Sequence, residues 1–203
     1  MEQIEIVHHE TGIPLGIVLD RRDVFTQNAW CRSTNVFVIN SEGKVLCHQR
    51  SLVKERMPGV WVTHLGGHVA HGETPATNVI KELEEEANIF AQPHEVIRWS
   101  TMPVAETTRV KNVRLWMHNF VTLFNGDTSL IKPQPGEVEK FEWLSLEEIL
   151  NSEKEEPHMW NAGIHDFHTE YFHLRAALMG AHAAGSISVP DELHVWRPIS
   201  RSN

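Results

Sequence analysis

Carboxylates at Glu82, Glu85 and Glu86, set behind a glycine pair at Gly66 and Gly67, are the residues of this chain whose types and spacing can do chemistry. The stretch from Gly66 to Ile89 reads GGHVAHGETPATNVIKELEEEANI. Two glycines after an apolar segment let the backbone turn tightly and approach a ligand. A helix is expected to begin at Glu73 or Thr74, with Pro75 suited to its first turn. Spacings of three and four place Glu82 on one helical face with Glu85 and Glu86, while Glu84 is turned to solvent. Carboxylates so placed repel one another unless a cation sits among them. An all-oxygen set suits Mg2+ or Mn2+ rather than zinc. A solvated acidic helix face would also give KELEEE, but it needs no glycine turn at its entrance. A phosphate–metal site does.

The elements that must hold these residues can be read from periodicity. Residues 4–19 alternate as a hairpin around Glu10-Thr11-Gly12, with Pro14 marking an edge strand. A short helix fits residues 20–30. Strands are expected at 34–39 and 44–48 around Ser41-Glu42-Gly43, then near 96–99, 113–123 and 140–143. Ser145 and Glu148 form a capping box for a short helix, and 153–157 reads as a polar linker. Ile164, Phe167, Tyr171, Leu174 and Leu178 recur at helical spacing up to Ala183-Ala184-Gly185. Irregular alternation of strands and helices predicts a mixed sheet.

With those elements in place, the stretch resembles the Nudix box, Gly-x5-Glu-x7-Arg-Glu-Φ-x-Glu-Glu-x-Gly-Φ, where Φ is apolar. Gly67, Glu73, Glu82, Leu83, Glu85, Glu86 and Ile89 match, seven of nine specified positions. Lys81 replaces the Arg and can pair with Glu73 only as a point charge. Asn88 replaces the Gly and is the next-best residue for a left-handed cap. The resemblance implies an α/β/α sandwich with a mixed sheet. It divides the chain into an N-terminal hairpin arm (1–29), a Nudix domain (30–152) and a C-terminal helical extension (153–203). It also implies a divalent-metal-dependent hydrolase acting on the diphosphate linkage of a small molecule, nucleoside-diphosphate-linked or similar. The implied metal site comprises Glu82, Glu85, Glu86 and Gly67. A further carboxylate is expected from the loop before the last strand, Glu137 first and Glu139 second, so that Glu82, Glu85 and Glu137 form the catalytic set.

The approach to the box, with Arg50, Lys54, Pro58-Gly59 and Trp61, looks like that of isopentenyl-diphosphate isomerases and their hydrolase cousins. There the Arg and Lys contact a diphosphate, which makes Arg50, Lys54, Trp61 and His68 the expected substrate-binding residues. The isomerase needs a Cys just before the box Gly-His, where this chain has Gly66. The place of its metal His falls at about Cys31, and that of its acidic pair near Val113 and Leu115. A hydrolase is therefore expected, with an idle nucleotide-binding module or an isomerase-like enzyme as alternatives. His64, His68 and His71 are spaced across a glycine turn, which favours shaping a pocket over zinc. His165, His168 and His173 on the last helix read as structural or surface residues, and the tryptophans as core or pocket walls.

Composition narrows the partners. The 203 residues hold 18 Lys and Arg against 27 Asp and Glu, a net charge of −9. So acidic a chain is a poor general nucleic-acid binder. Two Cys make no disulfide framework, and no apolar run reaches membrane-spanning length. A cytoplasmic protein is expected. The hairpin and the last helix each carry an apolar face that must be covered, by the Nudix domain or by a second copy in a homodimer. The stretch 186–203, interrupted by Pro190 and Pro198, is expected to wrap the surface.

Overall fold

The computed structural model describes residues 2–107, 112–161 and 167–188. In chain order the elements are β1 (Gln3–Val7), β2 (Pro14–Asp20), α1 (Arg21–Thr26), β3 (Cys31–Asn40), β4 (Val45–Arg50), β5 (Trp61–Val62), α2 (Pro75–Ala87), β6 (Ile97–Thr107), β7 (Asn112–Phe124), β8 (Val138–Leu144), α3 (Leu146–Glu155) and α4 (Phe167–Ala183).

β3 explains the layering. Its side chains alternate, and both sets are buried. Val36 and Val38 pack with Val79, Leu83 and Ala87 of α2. Phe37 and Ile39 pack with Ile149 of α3 and with Phe167, Leu174 and Leu178 of α4. A strand apolar on both sides belongs in the middle of a sheet covered on both faces. β3 runs parallel to β7, in register from Cys31 opposite Leu115 to Asn40 opposite Phe124, and β7 is antiparallel to β6. On its other side β3 meets β4, which pairs antiparallel with β5 and β8. The described strands form one eight-stranded mixed sheet between helices, the α/β/α sandwich that was expected.

Both chain ends close on this body. β1 pairs with β3 at Ile6 and Cys31, and the His71 amide donates to the Gln3 carbonyl at 2.7 Å. Ile4 and Ile6 are buried with Val24, Cys31, Val113 and Leu115. The apolar face of α4 covers the sheet. The burial that called for a second copy is thus met within one chain. What remains for a homodimer is the outward side of the hairpin, where Ile13, Leu15 and Ile17 are 62%, 48% and 50% exposed.

Two boundaries differ from expectation. The supposed linker 153–157 is the end of α3 followed by a 3-10 turn over Pro157–Met159. Its polarity is that of a half-exposed helix. β6 reaches Thr107, well past residue 99, because it pairs only with β7 among the described strands and so tolerates Pro103 and an exposed polar face. Ile164, His165, Pro190, Trp196 and Pro198 lie outside the described residues.

Candidate active site

The glycine segment and α2 are fixed by local chemistry. The Thr74 hydroxyl accepts from the Thr77 amide at 3.2 Å and caps α2, with Pro75 in its first turn. At the other end Asn88 takes the left-handed conformation, φ 57° and ψ 34°, as its place in the box demands. Upstream, residues 65–68 pair with the start of β3: the Leu65 and Val36 backbones exchange hydrogen bonds, and the Thr34 amide donates to the Gly67 carbonyl at 2.9 Å.

Gly66 and Gly67 are required for different reasons. Gly66 has φ +141°, and a Cβ there would lie 2.1 Å from the Thr34 carbonyl oxygen. A Cβ on Gly67 would lie 2.4 Å from Glu82 Oε1. The Gly67 carbonyl, expected as a metal ligand, accepts from the Thr34 amide and from Ser33 Oγ, each at 2.9 Å. Gly67 leaves room for the Glu82 carboxylate by the side chain it lacks.

Glu82, Glu85 and Glu86 line one cleft of about 290 Å3 together with Lys54, Gly66, Gly67 and Glu137. Burial, and then the charge of Glu85, push the Glu82 carboxyl up to about 7. Burial, and then the charge of Glu82, push Glu86 up to about 8, although the Gly66 amide donates to it at 3.2 Å. Glu84 and Glu85 are exposed. Lys81 pairs with Glu73 at 3.3 Å, as anticipated. Its pKa is pulled down by burial and pushed up further by Glu73, Glu85 and Glu82, so that the net shift is upward.

Glu137 reaches the cleft because its loop is tied to the end of α2. The Lys132 and Gln134 amides donate to the Ala87 and Glu86 carbonyls, each at 3.1 Å, and Asn88 Nδ2 donates to the Leu130 carbonyl at 2.9 Å. Glu137 is ion-paired with Lys54. Glu139 faces elsewhere, accepting from Ser51 Oγ at 3.4 Å. The Arg50 guanidinium donates to the Arg56 carbonyl at 3.3 and 3.2 Å and does not line the cleft, though its charge lowers the Glu86 pKa.

Two expected substrate residues stand apart from the carboxylates. The His68 ring lies edge-on to Phe25 of α1, 5.3 Å between centroids. Its neighbours differ because residue 68 alternates away from the cleft along the segment paired with β3. Trp61 lines a second pocket of about 400 Å3, with Asn35, Thr63, His64, Met102 and Met117. One short segment therefore borders both spaces, His64 facing one and Gly66 the other. The half-buried His64 ring is tilted against Phe37, 5.4 Å between centroids, and desolvation pulls its pKa down to about 4. It stays neutral and does not converge with His68 and His71 on a zinc site.

Sequence reasoning missed Glu2, Arg21 and Gln134, which also line the cleft. Arg21 Nη1 donates to Glu2 Oε2 at 2.8 Å. The Arg21-Arg22 doublet was the available signal. What hid it is that β2 delivers Arg21 to the cleft only once β1 has docked on β3. Asn78, fully buried on the inner face of α2, was also missed.

The donor set fits a hard divalent cation. Its carboxylates are crowded and held partly out of water, and each raises the proton affinity of the next, an arrangement that a cation relieves.

With a mixed sheet between helices and a box helix carrying these carboxylates, the chain belongs to the NUDIX domain family, whose pattern it matches over residues 30–163. Among relatives, it is similar to an isopentenyl-diphosphate Delta-isomerase from Serratia proteamaculans. The two are 24% identical over 136 residues, which is 66% of this chain and 72% of the relative. It is also similar to a Rhodococcus erythropolis protein described as an uncharacterized Nudix hydrolase, 26% identical over 150 residues, 73% of this chain and 80% of that one. A crystal structure from Deinococcus radiodurans shares the fold with a TM-score of 0.56 and 21% identity, covering 76% of this chain and 90% of its own. No described helix is long and apolar enough to cross a membrane.

Proposed function

We propose that this protein is a divalent-metal-dependent hydrolase of a diphosphate linkage in a small molecule, nucleoside-diphosphate-linked or similar. One observation carries the choice of hydrolysis over isomerisation. The positions that resemblance assigns to an isomerase's metal and acid residues, Cys31, Val113 and Leu115, form a buried apolar cluster, with Cys31 and Leu115 in register across β3 and β7. Such a cluster offers a lone buried thiol in place of a metal-binding imidazole, and no acid to protonate a double bond. The place where the resemblance puts the thiol is Gly66, whose backbone conformation and contact with Thr34 leave no room for a side chain. The box carboxylates, by contrast, share a cleft with Lys54.

A bound Mg2+ or Mn2+ supplies charge neutralisation for the phosphates and acidifies a water. Glu82, Glu85 and Glu86 would hold it. Lys54 holds non-bridging phosphate oxygens, Arg21 adds positive charge in the cleft, and Arg50 acts on it only through its longer-range charge. When a phosphate takes over Lys54, the Glu137 carboxylate is freed to accept the proton of the attacking water at Oε2. We place the organic group against Trp61, which lines the neighbouring pocket with His64 and Met117.

The test is a set of diphosphate-linked compounds, including isopentenyl diphosphate, incubated with Mg2+ and followed for phosphate, pyrophosphate or nucleoside monophosphate release. Release that stops with chelator supports the reading. Conversion of isopentenyl diphosphate to its allylic isomer without phosphate release would overturn it.

A further inference from the structure

Asn78 lies within the seven residues that the box pattern leaves unspecified, on the face of α2 that buries Val79, Leu83 and Ala87. That face packs on the sheet, where an apolar side chain would be the ordinary choice. Asn78 is 0% exposed. An amide so deep is tolerated only when its polar atoms are all partnered.

The partners are these. Asn78 Oδ1 accepts from Thr34 Oγ1 of β3 at 2.6 Å. Asn78 Nδ2 faces the His68 carbonyl at 3.2 Å, Glu73 Oε2 at 3.3 Å and Glu82 Oε1 at 3.4 Å. Three acceptors on one side settle which end of the amide is which, because only the NH2 group can face them. Thr34 then has to donate, so β3 orients the amide and the amide orients the carboxylates. Among the described hydrogen bonds, Asn78 joins the loop glutamate, the box glutamate and the glycine segment at one atom.

We infer that Asn78 is a positioning residue of the cation site: its buried amide, held by Thr34, fixes Glu82 relative to Glu73 and the glycine segment from inside the helix. The inference rests on the metal-dependent reading above. Its chemistry differs from that of Lys81, which meets Glu73 from the solvent side. A neutral donor orients a carboxylate without cancelling the charge that the cation needs. Glu82 has no ion-pair partner among the described residues, and the Asn78 amide, at 3.4 Å, is the side-chain hydrogen-bond donor described for it.

The experiment measures Mn2+ binding to the metal-free protein by electron paramagnetic resonance, with thermal unfolding recorded for every variant. Asn78→Ala is expected to raise the Mn2+ Kd about tenfold or more, as loss of a ligand-orienting contact does. Thr34→Val keeps the shape of β3 but lets the amide turn, and should raise the Kd in the same direction. An amide that only filled space would lower the Tm and leave the Kd of the folded protein unchanged. Wild-type Mn2+ affinity in folded Asn78→Ala would therefore overturn the inference. If that variant does not fold, Thr34→Val decides on the same terms. Glu82→Gln separates the two readings. Lost binding there with normal binding in the amide variants overturns the role of Asn78 alone. Normal binding in Glu82→Gln itself overturns the cation site, and this inference with it.

Discussion

The Lys54 ammonium is bonded to the Glu137 carboxylate, and both line the cleft that holds Glu82, Glu85 and Glu86. The bond joins the basic loop after β4 to the loop before β8, two segments 83 residues apart. A phosphate entering the cleft competes with Glu137 for the same ammonium. The two residues should thus fail differently. Lys54→Ala is expected to raise KM about tenfold with a smaller change in kcat. Glu137→Gln should lower kcat by about ten- to a hundredfold and leave KM nearly unchanged. Steady-state kinetics on the best substrate checks both. Matching losses of kcat alone would show that Lys54 does not bind the ground state.

Glu85 lines the cleft from the exposed side of α2, where its loss leaves no buried cavity. Glu85→Gln should keep the Tm within about 2 °C, since exposed substitutions seldom matter to stability. Turnover should fall by about 10²-fold or more. Full activity of this variant in excess chelator would remove the metal from the reaction.

The neighbouring glycines predict opposite phenotypes. A Cβ on Gly66 meets the Thr34 backbone, which cannot move without breaking the pairing to β3. Gly66→Ala should cost about 2 kcal/mol or more, a fall in Tm of about 4–8 °C. A Cβ on Gly67 meets the flexible end of Glu82, which can swing aside. Gly67→Ala should keep its Tm but lose about tenfold or more in turnover, as a misplaced ligand does. Calorimetry with a rate assay on the same samples separates the two, and an active, stable Gly66→Ala would contradict the close approach of residue 66 to Thr34.

Glu82 and Glu86 are pushed from 4.5 up to about 7 and about 8 in the folded chain, by burial first and neighbouring carboxylates second. Between pH 4.5 and about 8 the folded chain therefore holds protons that the unfolded chain has released. The stability of the metal-free protein should fall as pH rises through that window and level off above it. Mg2+ must displace the same protons, so its affinity should rise over about pH 6 to 9, with proton release on binding. Titration calorimetry in buffers of different ionisation enthalpy counts the protons. A pH-independent Mg2+ affinity would contradict the assignment of these ligands.

The box was legible in the sequence because its function depends on local spacing: the Thr74 cap, the Asn88 turn and the Lys81–Glu73 pair all lie within one helix and its entrance. The choice between Glu137 and Glu139 was harder, since only the tie of residues 132 and 134 to the end of α2 decides which carboxylate faces inward. Arg21 and Glu2 were illegible for a related reason. Their place depends on a hairpin docking across β3, a contact between distant segments that no periodicity encodes. The orientation of His68 was not legible, because it depends on alternation along a segment paired with β3, which turns its ring to Phe25. Asn78 was hidden because a polar residue on a helix shows its partners only after the helix has packed.

The helix α4 supplies Phe167, Leu174 and Leu178 to the cover of Phe37 and Ile39. During synthesis it leaves the ribosome after every strand of the sheet. The face carrying Phe37, Ile39, Val45 and Val121 has therefore been made, and can pair, before its cover exists. In that interval the nascent chain presents a broad apolar surface, the kind that recruits chaperones or aggregates. The α2 face closes before α4 is made, so the side carrying the carboxylate cleft can assemble while its opposite face is still open. A chain halted just before α4 would thus carry a nearly complete carboxylate cleft on a body with one apolar face uncovered.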